Sequence, residues 1–509
     1  MLSNQRKAGV VLNYISISLN MLIGIAYTPF LIHMLGQSEY GIYSLAASII
    51  AYLTVLDLGF GNAIVRYTSQ FIAEGKQKEQ EEMFGMFLIL YTIIGFVSLF
   101  LGVVLVFNIE HLFSANMTSN EVYRTKIAVS LMTLNLAITF PLSIWGSIMN
   151  AYEQFVFKRL FTIARNVLNP LAMIVLLMYG YKAIGLIVVI TIFNVLSLCA
   201  DWLFCKYRLK IKVRYGKFKW TFLKEVFVYS LWIFFNAIID RVYWSTGQFV
   251  LGIVSGTTAV AIYAVAVQLH SIFISFSTAV SSVFLPKVTS MVVKGSNESE
   301  ISDLFIKTGR LQYIVIGFIL FSFILFGRQF IYYWAGSEYD EAYIIAVLFF
   351  IPLVVPLIQT LGLTILQAKN EMKFRSLVYL VIAIVSFALY FPMSNYYGGT
   401  GCAIITSVAI LVGHGFVMNY YYYYKQKINI PLFWKEILSM SVVPILLAIS
   451  TYVLLAIFDI NLYHIKVYIL TIIIYCILYV YMSWFWSFNT FERKLIFNFY
   501  KSINSKIKC

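Results

Sequence analysis

Apolar residues in this chain run almost unbroken for twenty positions or more, and polar residues gather in short stretches between the runs. A helix needs roughly 20 apolar residues to cross the ~30 Å hydrocarbon core of a bilayer. That rule marks spans at 10–32, 42–65, 84–107, 127–150, 161–180, 183–205, 226–249, 259–284, 310–332, 342–366, 376–395, 400–424, 437–458 and 463–487. Each must be helical, because an open strand edge leaves backbone groups unsatisfied in lipid. The pattern predicts an all-α polytopic membrane protein with about 14 transmembrane helices. Between 161 and 205 only Tyr181 and Lys182 interrupt the run, so the division there rests on two residues. The basic start, Met1 to Lys7, leads into the first span without a small-residue cleavage site, which reads as an uncleaved first helix.

Composition agrees with lipid as the solvent. Hydrophobic residues make up 61% of the 509 and charged residues 12%, about half the charge of a soluble domain. Aromatic residues at 17% exclude disorder. A soluble enzyme, a nucleic-acid binder and a secreted disulfide scaffold are excluded on the same grounds. The five cysteines form no CxxC pair and no metal spacing. The net charge of +15 is a topology signal. With the N-terminus inside, the inside segments hold 30 Lys and Arg and the outside loops hold 5, as the positive-inside rule requires. Both termini and the basic stretch Lys206 to Lys224 are then cytoplasmic.

A repeat runs through the chain. A shift of 220 places Gly36 on Gly256, Ile42 on Ile262, Tyr43 on Tyr263, Ala46 on Ala266, Gly75 on Gly295 and Asn20 on Asp240. A shift of 217 places Ala151 on Ala368, Phe157 on Phe374 and Lys158 on Arg375. Six helices separate the copies, an even number of crossings. The halves are therefore parallel pseudo-repeats, as in transporters with a midplane site between two lobes. The expected organisation is an N-lobe at 1–205, a basic linker at 206–225, a C-lobe at 226–424, and an appended helix pair with a tail at 425–509.

Ionisable groups inside spans are costly, so they face water, a partner or a ligand. The candidates are Asp57, Arg66, Arg165, Asp240, Arg241, His270 and His414. Asp201, near a span end, reads as snorkelling to the interface. Asn236, Asp240 and Trp244 recur every four residues and form one polar-aromatic stripe. Its counterpart is Asn13, Ser16, Asn20 and Gly24 in the first span. Two stripes on the first helices of two lobes would line one cavity; the other reading has Asp240 and Arg241 locking neighbouring helices. Asp57 is followed by Gly59 and Gly61, which permit close packing or a helix break. Arg66 reads as a cytoplasmic anchor or a phosphate contact. The two histidines read as packing residues or proton relays, and Tyr420 to Tyr424 as an interfacial belt.

No nucleophile elbow, phosphate-binding loop or HExxH pattern occurs. With no nucleotide site, a proton or sodium-ion gradient or the substrate gradient is left as driving force, and no cofactor is implied. The stretch Leu35 to Arg66, LGQSEYGIYSLAASIIAYLTVLDLGFGNAIVR, resembles the start of the polysaccharide (O-antigen-type repeat-unit) flippases. These belong to the multidrug/oligosaccharidyl-lipid/polysaccharide exporter superfamily. Ile239-Asp240-Arg241, Ala261-Ile262-Tyr263 and Phe284-Leu285-Pro286-Lys287 extend the resemblance. It implies two six-helix lobes that alternate between inward- and outward-open states in a bacterial plasma membrane. It also implies a cationic cavity for an undecaprenyl-pyrophosphate-linked oligosaccharide destined for surface polysaccharide such as lipopolysaccharide or capsule. Under the resemblance Arg66, Arg241 and Lys287 become anionic-headgroup contacts, joined by Asn20 and Asn236 from the stripes. Asp57 and Asp240 become ion-coupling or pairing carboxylates. Membrane lipids, a polymerase and other glycan-assembly proteins are the expected partners. The alternatives are a multidrug or other lipid-precursor exporter of the same superfamily, and a membrane glycosyltransferase or polysaccharide polymerase. The last would need clustered acids or arginines in an outer loop, where Asn108 to Lys126 offers only Glu110, Glu121, Arg124 and Lys126.

Overall fold

The computed structural model describes residues 2–216, 220–293, 297–369, 371–495 and 497, with side chains at 2–11, 13, 14, 229, 232, 278–289, 292 and 293 excepted. Helices follow one another along the chain: α1 (Leu2–Leu35), α2 (Gln37–Leu53), α3 (Phe60–Glu74), α4 (Gln77–Phe113), α5 (Ser119–Ala151), α6 (Phe155–Met178), α7 (Ala183–Leu203), α8 (Trp220–Trp244) and α9 (Thr246–Val254). They continue as α10 (Gly256–Val293), α11 (Glu298–Trp334), α12 (Glu341–Ile358), α13 (Thr360–Ala368), α14 (Met372–Ile410), α15 (Asn419–Tyr424), α16 (Ile430–Ile457) and α17 (Ile465–Met482). Among the described residues 12 helices are long and apolar enough to cross a membrane, and α8, bent by 45° between Val228 and Ile233, makes a thirteenth. One of the twelve, Met372–Tyr424, is 53 residues long. At 1.5 Å per residue it would reach roughly 80 Å, more than twice the hydrocarbon thickness. It is two helices meeting at Gly398, whose φ of 55° and ψ of −135° no helix accommodates. Divided there, the described residues hold up to fourteen candidate spans, the number read from the sequence.

Packing groups the chain into two compact units, Met1–Val267 with Lys373–Thr406, and Gln268–Met372 with Ser407–Cys509. In the first, α4, α5 and α7 pack along their lengths around Phe84, Phe87, Tyr91 and Phe140, and Phe60 of α3 meets Phe87 and Tyr91 edge-on. In the second, Phe326 of α11 and Tyr468, Tyr475 and Tyr479 of α17 build an aromatic core. Beside that core, buried Arg310 of α11 pairs with Glu436 of α16 and Glu492 of the C-terminal segment.

The repeat is visible in the backbone. Gly36 and Gly256, mates in the 220-residue shift, have φ of 76° and 81° and each opens a helix. α6 and α14 begin at Phe155 and Met372, mates in the 217-residue shift. The basic stretch after α7 is not a free tether in its first part. Arg214 pairs with Glu81 of α4 at 2.8 Å and its amide donates to the Glu81 carbonyl at 3.0 Å.

Candidate functional site

The second span is broken where the sequence places Asp57. After α2 a single 3₁₀ turn, Thr54–Asp57, leads into Leu58 and Gly59, both left-handed, with φ of 52° and 75°. The Asp57 carboxylate accepts hydrogen bonds from the Tyr91 hydroxyl at 2.8 Å and from the backbone N–H groups of Gly59 and Gly61. It thus satisfies amides that the break leaves without helical partners at the start of α3. No Lys or Arg lies within ion-pair distance of it among the described residues. Gly59 also lets α8 approach: a Cβ there would sit 2.7 Å from Cγ2 of Ile233.

That approach sets the polar stripe of α8 beside the break. Asn236 donates to the Ser376 hydroxyl at 3.1 Å and accepts from Arg375 at 3.1 Å, so the stripe is tied to the first turn of α14. The Arg375 guanidinium lies over the Tyr379 ring, 4.6 Å from its centre, a favourable cation–π placement. No carboxylate reaches Arg375 among the described residues. One turn beyond Asn236, Asp240 and Arg241 stand half-exposed, 58% and 36% by side chain, with Nη1 of Arg241 3.7 Å from Asp240. The alternative reading, a lock to neighbouring helices, finds no ion pair among the described residues: the nearest ion-pair partner of each is the other, and Arg241 Nε has no hydrogen-bond partner.

The structure therefore ties Asn236 to Arg375, sets Asp240 and Arg241 one turn further along α8, and places Asp57 at the break against which α8 packs. Asn20 on α1 and Arg66 on α3 are exposed; Arg66 lies 5.7 Å from the ring of its neighbour Tyr67. Lys287 is on α10, and its side chain falls outside the described residues. His270 is buried with its ring edge-on to Phe349, and His414 lies in the π-helical stretch before α15.

Arg375 is not among the sequence-derived site residues, although the repeat points to it by pairing it with Lys158. Lys158 itself donates to the Gly146 carbonyl at 2.8 Å. Asp201 beside it is buried at 8% exposure, with Arg165 also acting on its carboxylate. Snorkelling is thus the wrong reading of Asp201: its carboxylate points into the protein, where two cations compensate it.

A second polar group gathers where α2, α5 and α10 begin. Thr118 and Glu121 form a reciprocal cap on α5, and Glu121 Oε1 also accepts from Ser38 at 2.5 Å and Thr257 at 2.6 Å. Buried Glu39 pairs with Arg124 and accepts from the Ala183 amide at 3.3 Å. Ser38, Glu39, Thr118, Glu121, Arg124 and Lys182 line an open polar recess of about 460 Å³.

Candidate membrane spans along the whole chain, a second span broken at Asp57, and arginines on these helices with little or no acid beside them among the described residues fit a membrane transporter fold. Solved structures agree. The lipid II flippase MurJ, in an inward closed conformation, superposes with a TM-score of 0.73 over 96% of this chain and 99% of its own, at 16% identity. An inward-facing multidrug resistance MATE family transporter of the MOP superfamily gives 0.56 over 82% and 99%, also at 16% identity. The Vibrio cholerae MATE transporter VcmN in its bent form gives 0.53 over 85% and 99%, at 15% identity. Comparison with curated protein sequences gives no match. The chain belongs to the polysaccharide biosynthesis protein family, whose pattern matches residues 7–292. Its fold is the one shared by these MurJ and MATE transporter structures.

Proposed function

We propose that this protein flips an undecaprenyl-pyrophosphate-linked oligosaccharide from the inner to the outer leaflet of a bacterial plasma membrane, with both termini cytoplasmic. The observation that carries the reading is Arg375. It is a half-buried guanidinium in the first turn of a membrane helix, oriented by Asn236 and Tyr379 and with no carboxylate partner among the described residues, in a chain of a polysaccharide biosynthesis family. A guanidinium offers a fixed fork of donors that matches phosphate oxygens. Arg241, whose only ion-pair partner among the described residues is an exposed and loosely placed Asp240, adds a second positive group on the same helix pair. Asp57, satisfied by Tyr91 and two backbone amides, serves the shape of the second span and not substrate charge.

The test is glycan analysis in a strain lacking the protein. Undecaprenyl-linked units should accumulate on the cytoplasmic side, and plasmid-borne wild type should restore surface glycan. Arg375→Ala and Arg241→Ala should insert at wild-type levels yet restore less than about a tenth of it, with Arg241→Lys intermediate. Unchanged surface glycan in the deletion strain would overturn the flippase reading. Full restoration by well-expressed Arg375→Ala and Arg241→Ala would overturn the assignment of the headgroup to these arginines.

A further inference from the structure

The basic stretch after α7 carries charges that the proposed function does not use. With its last turn, α7 makes a candidate span of 26 residues, Ala183–Arg208. At 1.5 Å per residue that is about 39 Å, longer than the ~30 Å hydrocarbon core, so its last turn reaches the headgroup layer. The side chains there mark the boundary. Leu203 is 43% exposed on an apolar span and so meets lipid, and Tyr207, one turn on, is 69% exposed. The Lys206 ammonium lies 5.0 Å from the centre of the Trp202 ring and 5.6 Å from that of Tyr207. Aromatic rings beside a cation at the end of a span are characteristic of the membrane–water interface.

Beyond Arg208 the chain is pinned to the protein as a strap. The Leu209 amide donates to the Phe204 carbonyl at 3.2 Å, and Lys210 turns the chain with a left-handed φ of 53°. The Ile211 amide then donates back to the Cys205 carbonyl at 3.0 Å. Leu209, Ile211 and Val213 are half-buried, while Lys210, Lys212 and Arg214 between them are exposed. That alternation is how an extended segment lies on a surface, apolar side down and cations out. α4 holds the far end: Arg214 bonds Glu81 through its amide and its guanidinium, and a Cβ on Gly85 would collide with the Arg214 carbonyl. Arg214 is thereby spent on Glu81. Lys206, Arg208, Lys210 and Lys212 are all exposed, and none has a carboxylate within ion-pair distance among the described residues.

We propose that this strap binds the headgroups of anionic phospholipids, with Lys206, Arg208, Lys210 and Lys212 as its cationic row. Cations set beside lipid-exposed Leu203 meet headgroup phosphates first, and their attraction to an anionic leaflet is strongest within a Debye length of it. Zwitterionic lipids carry the same phosphate beside a cancelling ammonium, so the row discriminates by net headgroup charge. A strap already fixed at Cys205 and Glu81 presents its charges without the ordering cost that a loose linker would carry. Resting on the orientation proposed above, the row holds the segment joining α7 to α8 against the leaflet from which substrate is loaded.

The test is native mass spectrometry of the delipidated full-length chain, titrated in neutral detergent with phosphatidylglycerol or with phosphatidylcholine of the same acyl chains. Each cation near an anionic headgroup contributes about fivefold in affinity, so the wild type should bind phosphatidylglycerol at least about tenfold more tightly. Lys206→Gln, Arg208→Gln, Lys210→Gln and Lys212→Gln together should remove that preference and leave phosphatidylcholine binding unchanged. If the fourfold variant does not fold, Lys210→Gln with Lys212→Gln decides, with a loss of at least about fivefold. A control that changes the exposed Lys425, Lys427 and Lys435 to Gln should keep the wild-type preference. Equal binding of the two lipids by wild type, an undiminished preference in the folded strap variants, or an equal loss in the control would overturn the proposal. Displacement of phosphatidylglycerol by equimolar inorganic phosphate would overturn the choice of a lipid. No glycan enters the measurement, so selective lipid binding by a chain that fails to restore surface glycan overturns the flippase reading alone.

Discussion

Arg310 offers the sharpest test of how the second unit is held together. Its side chain is 4% exposed and that of Glu492 1%. Nε meets Oε1 of Glu492 at 2.6 Å and Nη2 meets Oε2 at 2.9 Å, a two-pronged pair, while Nη1 reaches Glu436 and Nη2 the Ser487 carbonyl at 3.1 Å. Glu492 also accepts from the Asn489 amide at 2.8 Å, so one carboxylate anchors the segment after α17 both to itself and to α11. Arg310→Ala strands a buried carboxylate, and breaking such a pair costs about 3–5 kcal/mol. Glu436 is 36% exposed, so Glu436→Ala should cost only about 1 kcal/mol. Combining Arg310→Met with Glu492→Leu removes both charges and should recover most of the loss, since apolar substitutes for buried pairs are often neutral or better. The assay is thermal unfolding of the purified chain in detergent, followed by retention of the monodisperse species. An Arg310→Ala protein as heat-stable as wild type, or a double variant no better than the single, would refute the reasoning.

Two further outcomes follow from the first unit. Tyr91→Phe removes one of three donors to Asp57, and a hydrogen bond to a charged group is worth about 1.5–3 kcal/mol; the same heating assay should show a loss of that order, and none would mean that the two backbone amides suffice at the break. A cysteine at Lys212 should react with an impermeant thiol reagent only after the cells are permeabilised, and strong labelling of intact cells would invert the topology inferred from the charge count.

What the sequence disclosed and what it hid divide along a physical line. Span number and length are legible because lipid enforces them: about twenty apolar residues are needed per crossing whatever the tertiary structure. Even the single long helix at Met372–Tyr424 divides correctly from sequence, since the run Tyr396-Tyr397-Gly398-Gly399 supplies an interfacial pair and a residue free to leave helical geometry. The break at Asp57 is legible for the same reason, through Gly59 and Gly61. Arg375, the Asp201 surroundings and the Arg310 group are not. Each joins residues more than 100 positions apart or sits at a span end, where a charge is ordinarily explained by water. In sequence Arg310 is simply the start of a span; only packing shows that its guanidinium turns inward to two acids from a different part of the chain.

The broken helices explain why the polar chemistry of this protein collects where it does. In water a kink costs little, because solvent satisfies the released amides and carbonyls. In hydrocarbon every released group needs a protein partner or a ligand, at several kcal/mol each if it finds none. At Leu58 and Gly59 the freed amides face a carboxylate, so that break is closed by the protein itself and can act as a rigid shape against which α8 packs. At Gln359 the freed end is carbonyl, and the Ser277 hydroxyl donates to the Leu357 carbonyl while the Gln312 amide donates to Ser277 and Thr360. The two breaks are thus met in opposite ways, the first by a carboxylate that collects freed amides and the second by hydroxyl and amide donors that meet carbonyl and hydroxyl oxygens.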